Sequence, residues 1–204
     1  MSKNTAVFDF SLVAIIRTGT VNEAREYAKV LLDAQVESIE FTTTTPGVFD
    51  LIEEFASDKK IHVGLGTAMT KEHVLNARKA GAQFVISPHT SKEVIKATKK
   101  ANLISIPGVA SPTEIADALS YGADMLKFFP ASSLGPNYLK SVRDPFPAQI
   151  WIATGGISLD VVDVWVKAGV SGFGLGGPLT AGGLSKVAKR VSDFKVAIKL
   201  AKGL

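Results

Sequence analysis

The chain has 204 residues, 46% of them hydrophobic and 21% charged, which is enough for one domain with a sizeable core. It contains no cysteine, so disulfides, thiolate metal sites and thiol catalysis are excluded. The net charge of +4 comes from lysines scattered over predicted helices, with small clusters at Lys59-Lys60 and Lys99-Lys100. Nucleic-acid binding calls for a basic stripe with interleaved aromatics, and neither is present.

Met1-Ser2-Lys3-Asn4 lacks the apolar segment of a signal peptide, and no apolar run approaches a membrane span. A soluble cytoplasmic protein with no membrane partner is the expectation. Residues 1–10 read as a short leading helix. The first strand is Leu12–Arg17 and the second Ser38–Thr42, followed by a threonine run, Thr42 to Thr45, before Pro46. The run reads either as a β-rich strand end and helix start or as hydroxyls lining the mouth of a pocket, with Thr42 a candidate substrate-binding residue. The third strand is His62–Gly66. Thr70 then caps a helix carrying Val74 and Leu75, which ends at Ala80-Gly81-Ala82. Strands follow at Phe84–Ser87 and Leu103–Ile106. Ser111-Pro112 opens a helix that Gly122 closes, with Pro112 suited to the first helical position. Met125–Phe129 and Ile150–Ala153 come next. Ser158 opens a helix with Val161, Val162, Trp165 and Val166, and Gly169 ends it ahead of strand Gly172–Gly176. A last helix over Leu184–Lys202 places Val187, Val191, Phe194 and Ile198 on one face.

Eight strands alternating with helical stretches predict a parallel sheet with right-handed crossovers. The expected fold is α/β, a (β/α)₈ TIM barrel formed as one domain over residues 1–204, and an open doubly wound sheet is the alternative. In a barrel the pocket lies at the C-terminal strand ends. Those ends carry polar, small or kinking residues: Arg17, Glu40 to Thr45, Gly66-Thr67, Ser87-Pro88-His89, Pro107-Gly108, Phe129-Pro130, Thr154-Gly155-Gly156 and Gly176-Gly177.

Lys127 interrupts an apolar run, Met125-Leu126-Lys127-Phe128-Phe129-Pro130. Lysine is rarely buried unless paired or used. An apolar setting disfavours its ammonium form and exposes a nucleophilic amine that can form a Schiff base with a ketone. The alternative is a lysine that snorkels outward from an edge strand. Side chains alternate along a strand, so Glu40 shares a face with Ser38 and Thr42, and Lys127 with Met125 and Phe129. A carboxylate and an amine in one interior meet the needs of imine chemistry, in which an acid/base moves protons around the nitrogen. A buried Glu40–Lys127 ion pair is the bland reading. Thr154-Gly155-Gly156 and Gly174-Leu175-Gly176-Gly177 follow the last two strands, where barrel enzymes commonly cradle phosphate. Gly172-x-Gly174-x-x-Gly177 formally matches a dinucleotide pattern but lacks the following strand that the pattern requires. His62 and His73 read as structural, and His89 sits at a pocket-side end. No carboxylate–histidine cluster points to a metal, and no cofactor is implied.

Six segments, Ile39-Glu40-Phe41-Thr42, Gly64-Leu65-Gly66-Thr67, Phe84 to Pro88, Pro107-Gly108-Val109, Leu126 to Pro130 and Thr154 to Ile157, occur in that order. Together, over nearly the whole chain, they resemble the 2-keto-3-deoxy-6-phosphogluconate / 4-hydroxy-2-oxoglutarate aldolase family. The resemblance implies a metal-independent class I aldolase on a (β/α)₈ barrel, usually a homotrimer. It would act in carbohydrate breakdown of the Entner–Doudoroff type, with a small 2-keto-3-deoxy sugar acid, pyruvate and an aldehyde as its ligands. By position it makes Lys127 the Schiff-base nucleophile and Glu40 the general acid/base. Thr67 would hold the pyruvate carboxylate, Pro88 and Phe129 would line the pyruvyl pocket, and Thr154, Gly155, Gly156, Gly176 and Gly177 would hold the far end, commonly a phosphate.

Two positions depart from the family pattern. Thr44 stands where many members have an arginine that clamps the carboxylate, and Arg17 is proposed to supply that grip. Gly177 replaces a serine that donates to phosphate. The expected substrate is 2-keto-3-deoxy-6-phosphogluconate. The alternatives are its galactonate epimer, 4-hydroxy-2-oxoglutarate, or a barrel that binds a phosphorylated ligand without turnover.

Overall fold

The computed structural model describes residues 9–58 and 60–204. The expected leading helix lies almost wholly outside them, and Asp9 and Phe10 are not helical. Strands β1 (Leu12–Ile16), β2 (Ser38–Thr42), β3 (His62–Gly66) and β4 (Phe84–Ile86) alternate with helices α1 (Val21–Asp33), α2 (Val48–Ala56), α3 (Lys71–Lys79) and α4 (Lys92–Lys100). Next come β5 (Ile104–Ile106), β6 (Gly108–Val109), α5 (Pro112–Tyr121) and β7 (Leu126–Phe128). The chain continues through α6 (Ala131–Leu134), α7 (Pro136–Arg143), β8 (Trp151–Thr154), α8 (Val162–Lys167), β9 (Gly172–Leu175), α9 (Gly177–Thr180) and α10 (Leu184–Lys202).

The strands pair in parallel in the order β5-β4-β3-β2-β1-β9-β8-β7-β6. The two ends of that order, β5 and β6, are consecutive in the chain and separated only by Pro107. They form one stave broken where proline has no N–H to give. Its carbonyl still serves the ring, accepting the Lys127 N–H at 2.9 Å. The ladder therefore closes into eight staves, the (β/α)₈ barrel expected from the alternation.

Helix starts follow the capping chemistry. Thr20, Thr70, Ser91 and Ser111 each accept a backbone N–H of the first turn, and Ser111 completes a reciprocal capping box with Glu114. Ser158 differs, because its side chain makes no cap hydrogen bond. The chain there enters a 3₁₀ turn, Leu159–Val161, before α8 begins. Of the two apolar residues noted on α3, Val74 is buried and Leu75 is exposed.

Alternation divides the buried apolar residues into two shells. Ile39, Phe41, Leu126, Phe128, Trp151 and Phe173 belong to the shell between strands and helices. Phe10, Val13, Phe84, Ile104, Met125 and Ile152 form a separate plug inside the barrel, where Phe10 meets Phe84 edge-to-face at 5.4 Å. On β1, β7 and β8 the plug takes the earlier interior positions and leaves the later ones to line a cavity, whereas on β4 and β5 it extends to the strand ends at Ile86 and Ile106.

Candidate active site

On β1, β7 and β8 the cavity-lining positions lie above plug residues on the same strand faces. On β1, Val13 lies in the plug, Ile15 lines the open cavity above it, and Arg17 follows at the strand end. On β7, Met125 is followed by Lys127 and then Phe129, and on β8, Ile152 is followed by Thr154. The cavity has a volume of about 430 Å³. Arg17, Glu40, Thr67, Pro88, Lys127 and Phe129 line one part of it. Thr154, Gly155, Gly156, Gly176 and Gly177 line another.

Glu40 and Lys127 stand on β2 and β7, four staves apart in a ring of eight, and so face each other across the lumen. Glu40 is 1% exposed and Lys127 6%. Among the described residues, no ion pair within 4.0 Å joins them, and Glu40 Oε2 has no hydrogen-bond partner. Burial raises the Glu40 pKa, opposed by the charges of Lys127 and Arg17. Burial lowers the Lys127 pKa; Glu40 opposes this and Arg17 adds to it. Both groups are thus displaced toward their neutral forms. Lys127 Nζ lies over the Phe129 ring, 4.9 Å from its centroid. Room for the carboxylate comes from a neighbouring strand. A Cβ built on Gly66 would fall 1.7 Å from Glu40 Oε1, and one on Gly64 would fall 2.2 Å from the Phe84 ring.

Arg17 Nη2 donates to Thr67 Oγ1 at 3.4 Å, which sets a guanidinium and a hydroxyl side by side at the cavity wall. Thr67 has a φ of +57°, unusual for a β-branched residue and of the kind found at ligand clamps. The Thr43 hydroxyl fixes this turn by donating to the Thr67 carbonyl at 2.9 Å.

Thr42 does not line the cavity. It is fully buried, and its Oγ1 donates to the Ile16 carbonyl at 3.3 Å and lies 3.0 Å from Thr44 Oγ1. The threonine run knits strand ends together. His89 is also absent from the lining, and its Nδ1 is buried without a partner. His73 Nδ1 accepts the Met69 N–H at 3.2 Å, a structural use. Among the described residues no group of three His, Asp or Glu side chains is placed to hold a metal, and no helix is long and apolar enough to cross a membrane.

The cavity includes Gly174 of the glycine-rich segment and also Ile15, Ile157, Pro178 and Thr180, which were not expected as site residues. Ile15 was within reach, being two residues before Arg17 on the same strand face. Pro178 and Thr180 arrive on α9, a single helical turn with no periodicity to detect.

Comparisons with known proteins agree with this geometry. A model of the KDPG and KHG aldolase family (2-keto-3-deoxy-6-phosphogluconate and 4-hydroxy-2-oxoglutarate aldolases) matches residues 5–188. The chain is 32% identical over 194 residues to the 2-dehydro-3-deoxy-6-phosphogalactonate aldolase of Escherichia coli K12, covering 92% of this chain and 94% of that protein. A solved structure described as native KDPGal superposes with a TM-score of 0.89 at 30% identity, over 97% of this chain and 98% of the other. The KDPG aldolase of Legionella pneumophila, solved with pyruvate captured as a covalent carbinolamine, superposes with a TM-score of 0.78 at 26% identity, over 95% and 93%. With a family match across most of its length and a barrel of the same form, the chain belongs to the KDPG/KHG aldolase family and is a carbon–carbon lyase.

Proposed function

We propose that this aldolase cleaves a 6-phosphorylated 2-keto-3-deoxy sugar acid to pyruvate and glyceraldehyde 3-phosphate through an imine on Lys127. The observation that carries the reading is a buried amine and a buried carboxyl facing one cavity with no ion pair between them. Two unpaired buried charges are costly, so each group is driven toward neutrality. The result is an amine with a free lone pair opposite a carboxyl able to give or take a proton.

Lys127 Nζ adds to the C2 ketone, and the resulting carbinolamine loses its hydroxyl as water to give an iminium. Removal of the C4 hydroxyl proton then lets that oxygen form the aldehyde carbonyl. The C3–C4 bond breaks and its electron pair enters the iminium, leaving an enamine. Protonation at C3 gives the pyruvate imine, and water releases pyruvate and restores the amine. Glu40 is assigned these proton transfers. Arg17 with Thr67 is assigned the carboxylate, since a guanidinium fork suits a bidentate grip and the pair already meet at the cavity wall. Pro88 and Phe129 wall the pyruvyl group, and the glycine turns beyond Thr154 take the far end. The carbinolamine named for the Legionella relative supports the chemistry.

The E. coli relative, matched over nearly its whole length, makes the galactonate-derived substrate the first to assay. The gluconate epimer and 4-hydroxy-2-oxoglutarate follow. Homotrimeric assembly belongs to the same reading, and sedimentation equilibrium measures it.

Borohydride reduction in the presence of pyruvate, followed by peptide mass mapping, tests the mechanism. A reduced pyruvyl adduct on Lys127 is expected. Folded protein that gives no adduct, or one on another lysine, would remove the proposed nucleophile.

A further inference from the structure

We infer that a cationic groove beside the catalytic cavity holds the distal anionic group of the substrate, with Lys186 and Arg190 supplying the charge. The inference rests on the aldolase reading above and extends it to residues on α10.

The catalytic cavity is short of positive charge at its far end. Its charged lining residues are Arg17, Glu40 and Lys127, and the reading commits all three to the pyruvyl half. A phosphate monoester carries close to two negative charges at neutral pH. The far wall offers glycine backbone and the side chains of Thr154 and Thr180, none of them charged. Gly177 contributes no side chain, and a Cβ built there would meet nothing within 4 Å, so this wall is open.

A second cavity, about 640 Å³ in volume, adjoins that wall. Gly156, Ile157 and Pro178 line both cavities, so the two lie side by side at these residues. Beyond them, α10 presents Lys186, Lys189 and Arg190. Lys189 is engaged by Asp193 at 2.7 Å. Lys186 and Arg190 have no carboxylate partner within 4.0 Å among the described residues. Arg190 is pinned at the shared lining, because its Nη1 donates to the Pro178 carbonyl at 2.9 Å. A guanidinium held against the residue next to Gly177, with an uncompensated lysine one turn earlier, is the arrangement a phosphate dianion requires.

The test compares kcat/KM for a phosphorylated 2-keto-3-deoxy acid with that for its unphosphorylated counterpart, in the wild type, Lys186→Gln and Arg190→Gln. Loss of a charge-assisted contact is expected to lower the ratio of the two by on the order of tenfold in each variant. Arg190→Gln also releases the Pro178 contact beside Gly176-Gly177, and a shift of that turn would itself lower the ratio. Lys186→Gln therefore decides, because Lys186 makes no bond to the turn. A ratio unmoved in Lys186→Gln, or a wild type that does not discriminate between the substrates, would overturn the groove's role. If pyruvate is still trapped on Lys127 in that case, the aldolase reading stands alone. A wild type that traps no pyruvate and turns over neither substrate overturns both.

Discussion

At the residue scale, Lys127 and Glu40 influence each other and are both influenced by Arg17, and that coupling has a sign. Burial lowers the Lys127 pKa, Arg17 lowers it further and Glu40 raises it. The rate of pyruvate imine formation is therefore expected to rise through an inflection below the ordinary lysine value of 10.5. Arg17→Gln removes a repelling cation and should move the inflection upward. Glu40→Gln removes an attracting anion and should move it downward. Stopped-flow pH profiles of the three proteins measure both shifts, and a common direction for the two variants would contradict the electrostatics. Glu40→Gln should still trap pyruvate while turnover falls on the order of 10²–10⁴-fold, the range for loss of a general acid/base.

At the element scale, β3 has an interior face that is nearly blank. Its sequence, His-Val-Gly-Leu-Gly, places Val63 and Leu65 against the helices and Gly64 and Gly66 inside. The two glycines admit different neighbours and should fail differently. A methyl at Gly64 meets the buried Phe84 ring, which belongs to the plug and has little freedom to move. A methyl at Gly66 meets first the outer half of the Glu40 side chain, Cγ and the carboxylate, a flexible group beside the open cavity that can swing away. Gly66→Ala is therefore expected to cost under about 1 kcal/mol of stability while turnover drops on the order of tenfold or more. Gly64→Ala should show a lowered urea midpoint by about 1–3 kcal/mol. Equal stability losses in the two variants would refute this division. The same strand shows what a sequence reveals and what it withholds. Its limits and facing follow from alternation, as do those of β1, β2 and β7, and this is why Arg17, Glu40 and Lys127 are legible as one cluster. That Gly66 is empty to accommodate Glu40 requires the register between β2 and β3, which no local pattern carries. Thr42 misleads for a related reason: it lies on the interior face, but three neighbouring oxygens hold its hydroxyl. The break at Pro107 was hidden as well, because Leu103–Ile106 reads as a complete short strand and Gly108–Val109 as part of a loop.

At the scale of the whole molecule, the site draws on stability that the rest of the barrel provides. An amine buried with no carboxylate in contact is a net cost to folding. Lys127→Met, similar in shape and apolar, should stabilise the protein by about 1 kcal/mol or more at neutral pH while abolishing imine formation. The unfolded chain keeps this proton up to the ordinary lysine value, whereas the folded chain releases it at lower pH. Between those values the unfolded state binds more protons, so the wild type gains stability as pH rises, and that contribution is lost as pH falls through the folded value. The gap between Lys127→Met and the wild type should therefore narrow from neutral pH toward 10.5, as urea titrations would record. Closure of the ring has a consequence in time. β1 pairs on one side with β2, a few tens of residues away, and on the other with β9, where Leu12 meets Phe173. During synthesis the first strand therefore waits, one edge unsatisfied, until most of the chain has left the ribosome, and the half-built barrel is a curved sheet with two open edges and an uncovered interior. Ribosome-bound chains stalled before Gly172 are the form most in need of chaperone protection, and the few residues of β9 convert an aggregation-prone sheet into a closed enzyme.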